Sequence, residues 1–269
     1  MAAHAIVVEN LDKYFPPART GWRALLQPWA QPSVRALAGV SFAAAAGEAV
    51  ALIGTNGAGK STLLRILATL ILPTRGRATV AGYDLERQPA LLRQQIGYDS
   101  GAEAGFYGRL TARENLEFFA TLNNLPGAEA ARRTAASVAL LGLGAVLDLP
   151  VRTLSTGILH RLGLARALLH EPRVLLLDEP TRSLDPLAAT DLRRFLKNDL
   201  VRQRGATLLF ATHALADIEQ LADRIAVLEA GQLLACDRLP GLLASTGAAS
   251  LDQALARLTR RTATTEPAS

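Results

Sequence analysis

The octapeptide Gly54-Thr55-Asn56-Gly57-Ala58-Gly59-Lys60-Ser61 constrains this chain more than any other segment. Its spacing is G-x-x-x-x-G-K-[ST]. An apolar run, Ala49 to Ile53, leads into it, and an apolar-periodic stretch starts at Lys60. A strand, a tight loop and a helix are therefore predicted in that order. Glycines permit positive φ and let backbone N–H groups close on phosphate oxygens. The helix start adds partial positive charge. In this pattern Lys60 reaches the β- and γ-phosphates of a nucleotide, and the Ser61 hydroxyl ligates Mg²⁺. With Thr62, these residues form the candidate ATP site. The alternative is a glycine-rich turn that binds nothing.

A second segment, Val174-Leu175-Leu176-Leu177-Asp178-Glu179, is an apolar strand ending in two carboxylates. Parallel strands covered on both faces have this pattern. Asp178 at the strand end suits the Mg²⁺ held by Ser61. Glu179, one residue on, is placed to orient and deprotonate an attacking water. An acidic pair capping the next helix is the competing reading. His213 follows a third strand candidate, Thr207–Ala211, and ligands of open α/β sheets gather at the carboxyl ends of strands. His213 is thus a candidate to bond the γ-phosphate or the water, against a plain surface histidine.

Around these motifs the chain alternates short strand patterns with longer helical ones, which argues for a largely parallel sheet flanked by helices. Further strand candidates are Ile6–Glu9, Val40–Ala43, Arg77–Val80, Ile96–Tyr98 and Ile225–Leu228. Helix candidates are Lys60–Leu70, Thr111–Asn123, Ala128–Leu141, Ser155–His170, Leu187–Arg202 and Ala214–Leu221. Residues 101–152 lack strong strand signals and read as a helical insert. No run approaches the ~20 apolar residues of a membrane span, and no signal-peptide layout is seen. The single cysteine, Cys236, fits a reducing compartment. The net charge of +5 does not call for a nucleic-acid partner.

Leu154-Ser155-Thr156-Gly157, ahead of a helix leading into the Asp178 strand, resembles the signature motif of ABC-type ATPases. Arg161 to Leu168 continue the likeness, Ser183-Leu184-Asp185 resembles the family's D-loop, and Thr212-His213 its H-loop. The resemblance covers about Ile6 to Cys236. It implies a P-loop ATPase core with an inserted helical subdomain and a small N-terminal antiparallel β subdomain. It implies an ATPase domain over 1–238, followed by a short helical extension near Leu251–Leu258 and a disordered tail from Arg261 within 239–269. It also implies a homodimer in which Ser155 and Gly157 of one copy cap the nucleotide of the other, with Asp185 nearby. The partner implied is an integral membrane permease at the cytoplasmic face of a bacterial plasma membrane. Arg109 to Leu116 and the C-terminal helix look like ATPases that export drug-, lipid- or polysaccharide-like cargo. Competing classes are a soluble relative acting on DNA or ribosomes and a nucleotide-binding scaffold with low turnover.

The chain departs from the family pattern at several points. Ala102, beside Glu103, stands where a glutamine is expected. Ile158 replaces a glutamine after the signature, and Thr55 a proline in the phosphate loop. The family stacks adenine on an aromatic near the first strand, where Phe15 and Tyr14 are the candidates; packing within the β subdomain is the alternative. Residues 16–34 read as an insertion whose Trp22, Leu25, Leu26 and Trp29 share a helical spacing broken by Pro28. Membrane-side contact and packing on the chain's own sheet are its two readings.

Overall fold

Three strands contain almost no polar residue and so demand cover on both faces. They are β3 (Ala49–Ile53), β7 (Val174–Asp178) and β8 (Thr207–Ala211), and nearly every residue in them is buried. The computed structural model describes residues 4–16, 34–101 and 105–263. In it β3, β7 and β8 run parallel at the centre of a six-stranded sheet of order β10-β9-β3-β8-β7-β6. Strands β6 (Ile96–Asp99) and β9 (Arg224–Glu229) also pair parallel, and β10 (Gln232–Asp237) joins the edge antiparallel.

Alternate residues of the central strands feed two separate cores, as a period of two requires. Ala49, Ala51, Ile53, Leu175, Leu177, Leu208 and Phe210 pack on one face, with Leu162 and Ala165 of α5 (Thr156–Leu168) and Leu192 of α6 (Pro186–Arg194). Val50, Leu52, Val174, Leu176 and Leu209 pack on the other. There they meet Leu63 and Leu67 of α1 (Lys60–Leu67) and the inner face of a small antiparallel sheet. That sheet has the order β2-β1-β4-β5, with β1 His4–Phe15, β2 Val34–Ala45, β4 Arg75–Val80 and β5 Tyr83–Asp84. Strands β1 and β2 extend well beyond their predicted lengths. Register shifts near Asn10, which sits at φ 48°, break the alternation that a sequence reading follows.

A short α2 (Pro89–Arg93) precedes β6. The described part of the predicted insert is helical, with α3 (Ala112–Leu122) and α4 (Gly127–Leu140) followed by two 3₁₀ turns and one bridge, Thr111 to Pro150. Thr111 and Glu114 close a capping box at the start of α3. Leu116, Ala120 and Val138 belong to the same core as β7, so the insert is anchored to the sheet. After α6 the backbone continues in π geometry over Phe195–Gln203, where a continuous helix to Arg202 was predicted. The chain then passes through α7 (Leu215–Leu221) and β9–β10 to α8 (Leu239–Thr246) and α9 (Leu251–Ala263). Helix α9 continues to Ala263, two residues into the tail expected to be disordered from Arg261, and residues 264–269 lie outside the described residues. Its apolar stripe carries it onto the core through Leu251 and Ala254, which are buried.

Gly97 on β6 sets how closely α5 lies on the sheet. A Cβ there would stand 2.3 Å from the Ala167 carbonyl oxygen and 2.8 Å from Leu175 Cδ1. Gly97→Ala is expected to lower stability by about 1–3 kcal/mol through overpacking. An unchanged midpoint in urea unfolding would show that α5 yields freely.

Candidate nucleotide-binding site

Parallel pairing places the carboxyl ends of β3, β7 and β8 along one edge, and the predicted motifs leave from those ends. The loop after β3 turns through Gly54 (φ 150°) and Gly59 (φ 103°), and α1 starts at Lys60. Glycine is needed at both points. A Cβ on Gly54 would lie 2.0 Å from the Leu228 carbonyl oxygen, and one on Gly59 would lie 2.6 Å from that of Ala36. Lys60 is folded back into this loop, donating from Nζ to the carbonyl oxygens of Gly54 (2.8 Å) and Thr55 (3.0 Å). Burial holds its amine below the usual lysine value, with the carboxylates of Glu179, Asp178 and Glu229 acting the other way.

His213 Nε2 lies 3.2 Å from Lys60 Nζ and 3.5 Å from Glu179 Oε1. Glu179 reaches it because the chain turns sharply at the end of β7. Its backbone is left-handed, φ 56°, and its N–H donates to the Ala211 carbonyl at 2.9 Å. Burial pushes its carboxyl above the ordinary glutamate value, while the His213 ring and backbone amide pull it back. Asn56, Gly57, Ala58, Gly59, Lys60, Ser61, Thr62, Asp178, Glu179 and His213 all line one cleft of about 300 Å³. Gly54 and Thr55 support it from behind, and Thr55 Oγ1 donates to Glu229 at 3.0 Å.

The cleft's donor set fits Mg²⁺. The Ser61 hydroxyl and Asp178 carboxylate are hard oxygen donors on its wall, and among the described residues no group of three His, Cys, Asp or Glu side chains could hold a metal ion by itself. Mg²⁺ is commonly held in this way, by one or two protein oxygens with phosphate and water completing the shell.

The other predicted residues lie apart from this cleft. Ser155 caps α5 and is exposed, making no capping bond, and Gly157 follows it half-buried. Asp185 caps α6, accepting from the N–H groups of Leu187 and Ala188 at 3.1 and 2.9 Å. Tyr14 and Phe15 end β1 opposite Arg35 and Val34. The Arg35 guanidinium sits 5.6 Å from the Tyr14 ring, and Lys13 Nζ 5.1 Å from the Phe15 ring. Ala102, Glu103 and the aromatic residues Trp22 and Trp29, with Leu25, Leu26 and Pro28, fall outside the described residues.

The sequence reading missed Ser100, Gly101 and Arg182, which complete the cleft wall, and Asp217, which braces it. Asp217 is fully buried on α7. It accepts from Thr181 Oγ1 (2.7 Å), Thr212 Oγ1 (2.8 Å) and Arg193 Nε (2.9 Å). One carboxylate thereby ties the segment after Glu179 to the segment carrying His213. Its only sequence signal is an acid in the first turn of a helix.

A phosphate loop between β3 and α1, with carboxylates ending the parallel strand two places away, defines a P-loop ATPase. The chain belongs to the ABC transporter family, whose pattern it matches over residues 37–182. It is 35% identical over 201 residues to the ABC transporter ATP-binding protein NatA of Bacillus subtilis (strain 168), covering 75% of this chain and 81% of that protein. The Daunorubicin resistance ATP-binding protein DrrA3 of Streptomyces coeruleorubidus is 38% identical over 82% of this chain and 69% of its own length. A solved dimer of the ATP-binding cassette MJ0796, in a post-hydrolysis state with ADP and Pi, superposes with a TM-score of 0.75. It is 25% identical, over 87% of this chain and 98% of that one. The chain is thus an ATP-binding, ATP-hydrolysing motor subunit of a transporter. The MJ0796 cassette is a dimer in its post-hydrolysis structure. Among the described residues no helix is long and apolar enough to cross a membrane.

Asp217→Ala leaves the Arg193 guanidinium buried without its partner. The expected loss is about 3–5 kcal/mol, read from chemical unfolding, with Asp217→Asn losing less. Equal stability of Asp217→Ala and the native chain would remove the brace.

Proposed function

We propose that this subunit drives export of a drug-, lipid- or polysaccharide-like molecule by hydrolysing ATP between two copies of itself. Gly54 to Thr62 hold the triphosphate, and Lys60 neutralises its β- and γ-oxygens. Ser61 and Asp178 would hold Mg²⁺, which would supply neutralisation of phosphate charge. Glu179 takes the proton of the attacking water, and His213 orients that water against the γ-phosphate. The observation that carries this assignment is the backbone of Glu179. A left-handed turn costs a non-glycine residue about 1–2 kcal/mol, and here it directs a partly buried carboxylate at His213, in the cleft that Ser61 also lines. A carboxyl raised by burial is better suited to accept a proton than one fully in water.

Ser155 and Gly157 act on the nucleotide of the second copy, with Asp185 at the same seam. Ser155 is exposed and neither residue lines its own chain's cleft, which supports that arrangement. The membrane subunit is a separate permease, and the motor sits on the cytoplasmic face of a bacterial plasma membrane. The relative's role in daunorubicin resistance supports the export direction. Residues 1–238 form the ATPase domain, with 101–152 as its helical insert and 239–269 as an extension. Tyr14 and Phe15, each already carrying a cation on its ring, are retained as adenine platforms, with packing in the β subdomain as the alternative.

Glu179→Gln is expected to lower ATP turnover ~10²–10⁴-fold while keeping nucleotide affinity, measured by phosphate release and equilibrium binding. The same variant with ATP is expected to sediment as a dimer. Native turnover in Glu179→Gln would remove it as the base, and a monomer under those conditions would remove the shared site.

A further inference from the structure

Next to the cleft wall a histidine and an aspartate face each other, both largely buried. His160 lies on α5, a little over one turn past Ser155, and is 9% exposed; Asp99 ends β6 and is 3% exposed. His160 Nδ1 is 2.8 Å from the Arg182 carbonyl oxygen. A carbonyl only accepts, so Nδ1 bears a hydrogen and donates it. In a neutral ring Nε2 is then a bare acceptor. It has no hydrogen-bond partner among the described residues, and Asp99 Oδ2 lies 3.7 Å from it. Nε2 is then the orphaned atom, set beside a carboxylate whose own hydrogen bond comes from the Gly101 amide. The cavity beside them, lined by both residues and about 10 Å³ in volume, is at the lower limit for one water. Two hydrogen bonds through a water would hold the pair roughly 4.5 Å apart, so a water does not fit in line between the two atoms. A single proton does, whether the ring is cationic or the carboxyl is neutral. The remaining closure to a hydrogen bond is roughly 0.7–1 Å.

The surroundings admit either form. Burial pushes the Asp99 carboxyl up, while His160, Arg166 and the Gly101 amide pull it down. Arg166 Nη2 is 3.9 Å from the other carboxylate oxygen. The helix is shaped for this contact: a Cβ on Gly163 would lie 2.6 Å from Asp99 Oδ1.

The pair connects three parts of the site. Asp99 leads directly into Ser100 and Gly101, and Arg182 follows Glu179 closely; all three line the cleft. His160 belongs to the helix whose first turn carries Ser155 and Gly157. We propose that Asp99 and His160 hold one proton between them and act as positioning residues for hydrolysis, fastening α5 to two walls of the nucleotide cleft. The kinetic part of this proposal rests on the hydrolytic reading of Glu179.

The test uses the full-length chain. With ¹⁵N-labelled histidine, the four ring systems report protonation directly, and His160 is assigned through its contacts with Arg182 and Asp99. The expected result is a protonated Nδ1 and an Nε2 that shares or carries a proton. A bare, unbonded Nε2, or a bare Nδ1, overturns the pair. In turnover assays His160→Phe keeps the ring's bulk without either bond. It is expected to lower kcat ~10–100-fold, with the KM for ATP within about twofold. The side-chain amide of His160→Gln has one hydrogen for the Arg182 carbonyl and one for the Asp99 carboxylate, and is expected to restore most of the rate. Native kcat in folded His160→Phe, or a loss confined to KM, overturns the positioning role. If His160→Phe does not fold, the ring signals of the native chain still decide. Glu179→Gln checks the underlying reading independently: native turnover in that variant, with the ring signals as expected, sinks the hydrolytic reading and leaves the shared proton standing.

Discussion

The hydrogen bond from the Glu179 amide to the Ala211 carbonyl, 2.9 Å long, prolongs the β7–β8 ladder one step beyond Asp178. It keeps Glu179 attached to the sheet at the residue where the chain turns left-handed. Ala211 is itself in register with Leu52 of β3, and the Thr212 amide donates to the Leu52 carbonyl at 3.2 Å. The phosphate loop, the acidic pair and the histidine therefore depart from neighbouring rungs of one parallel ladder. Their spacing is set by backbone geometry, and Asp217 repeats the same tie at the level of side chains.

Such a ladder holds its register only if slipping is costly. A one-residue slip of β7 would send Leu175 and Leu177 to the face now occupied by Val174 and Leu176, and every partner in both cores would change. The phosphate loop is held from outside as well. The β9–β10 turn places Gly231 so that its amide donates to the Ala58 carbonyl at 3.1 Å, and the Ala38 amide donates to the Gly231 carbonyl at 2.8 Å. Leu228 and Ala36 then close on the two glycines that have no room for a side chain. The edge hairpin and the antiparallel sheet thus serve as buttresses for the loop.

What was legible in the sequence was what is encoded locally. Gly54 to Ser61 and Val174 to Glu179 announce both their conformation and their chemistry, because phosphate geometry and two-sided burial leave few alternatives. Strand β10 was missed because its residues are half-exposed and lie at an edge, so neither alternation nor an unbroken apolar run marks it. Helix α8 was missed for a related reason: its run Leu239-Pro240-Gly241 reads as a turn, although Pro240 is well tolerated in a first helical turn. The bulges of β1 and β2 masked their length. Asp217 gave only the signal of an acid in a first helical turn, and Asp99 and His160 gave none, since their roles arise from contacts with residues far away in the chain.

The strained positions of the site are not scattered. Gly101, Glu179 and Ser183 all have positive φ, and they occur where the chain leaves β6 and β7. Between these segments lies α5, which Gly97 and Gly163 bring so close to β6 that little sliding is possible without collision. A helix held that tightly transmits movement as a body, and the adjustment has to be taken up in the loops at its borders. Those loops are the ones whose residues wall the cleft. Strain of about 1–3 kcal/mol at each non-glycine position is tolerated there because burial and the Asp217 brace over-determine the local path. The backbone at Arg182 and Gly101 thus stands between the cleft, which both residues line, and α5, whose first turn carries Ser155 and Gly157.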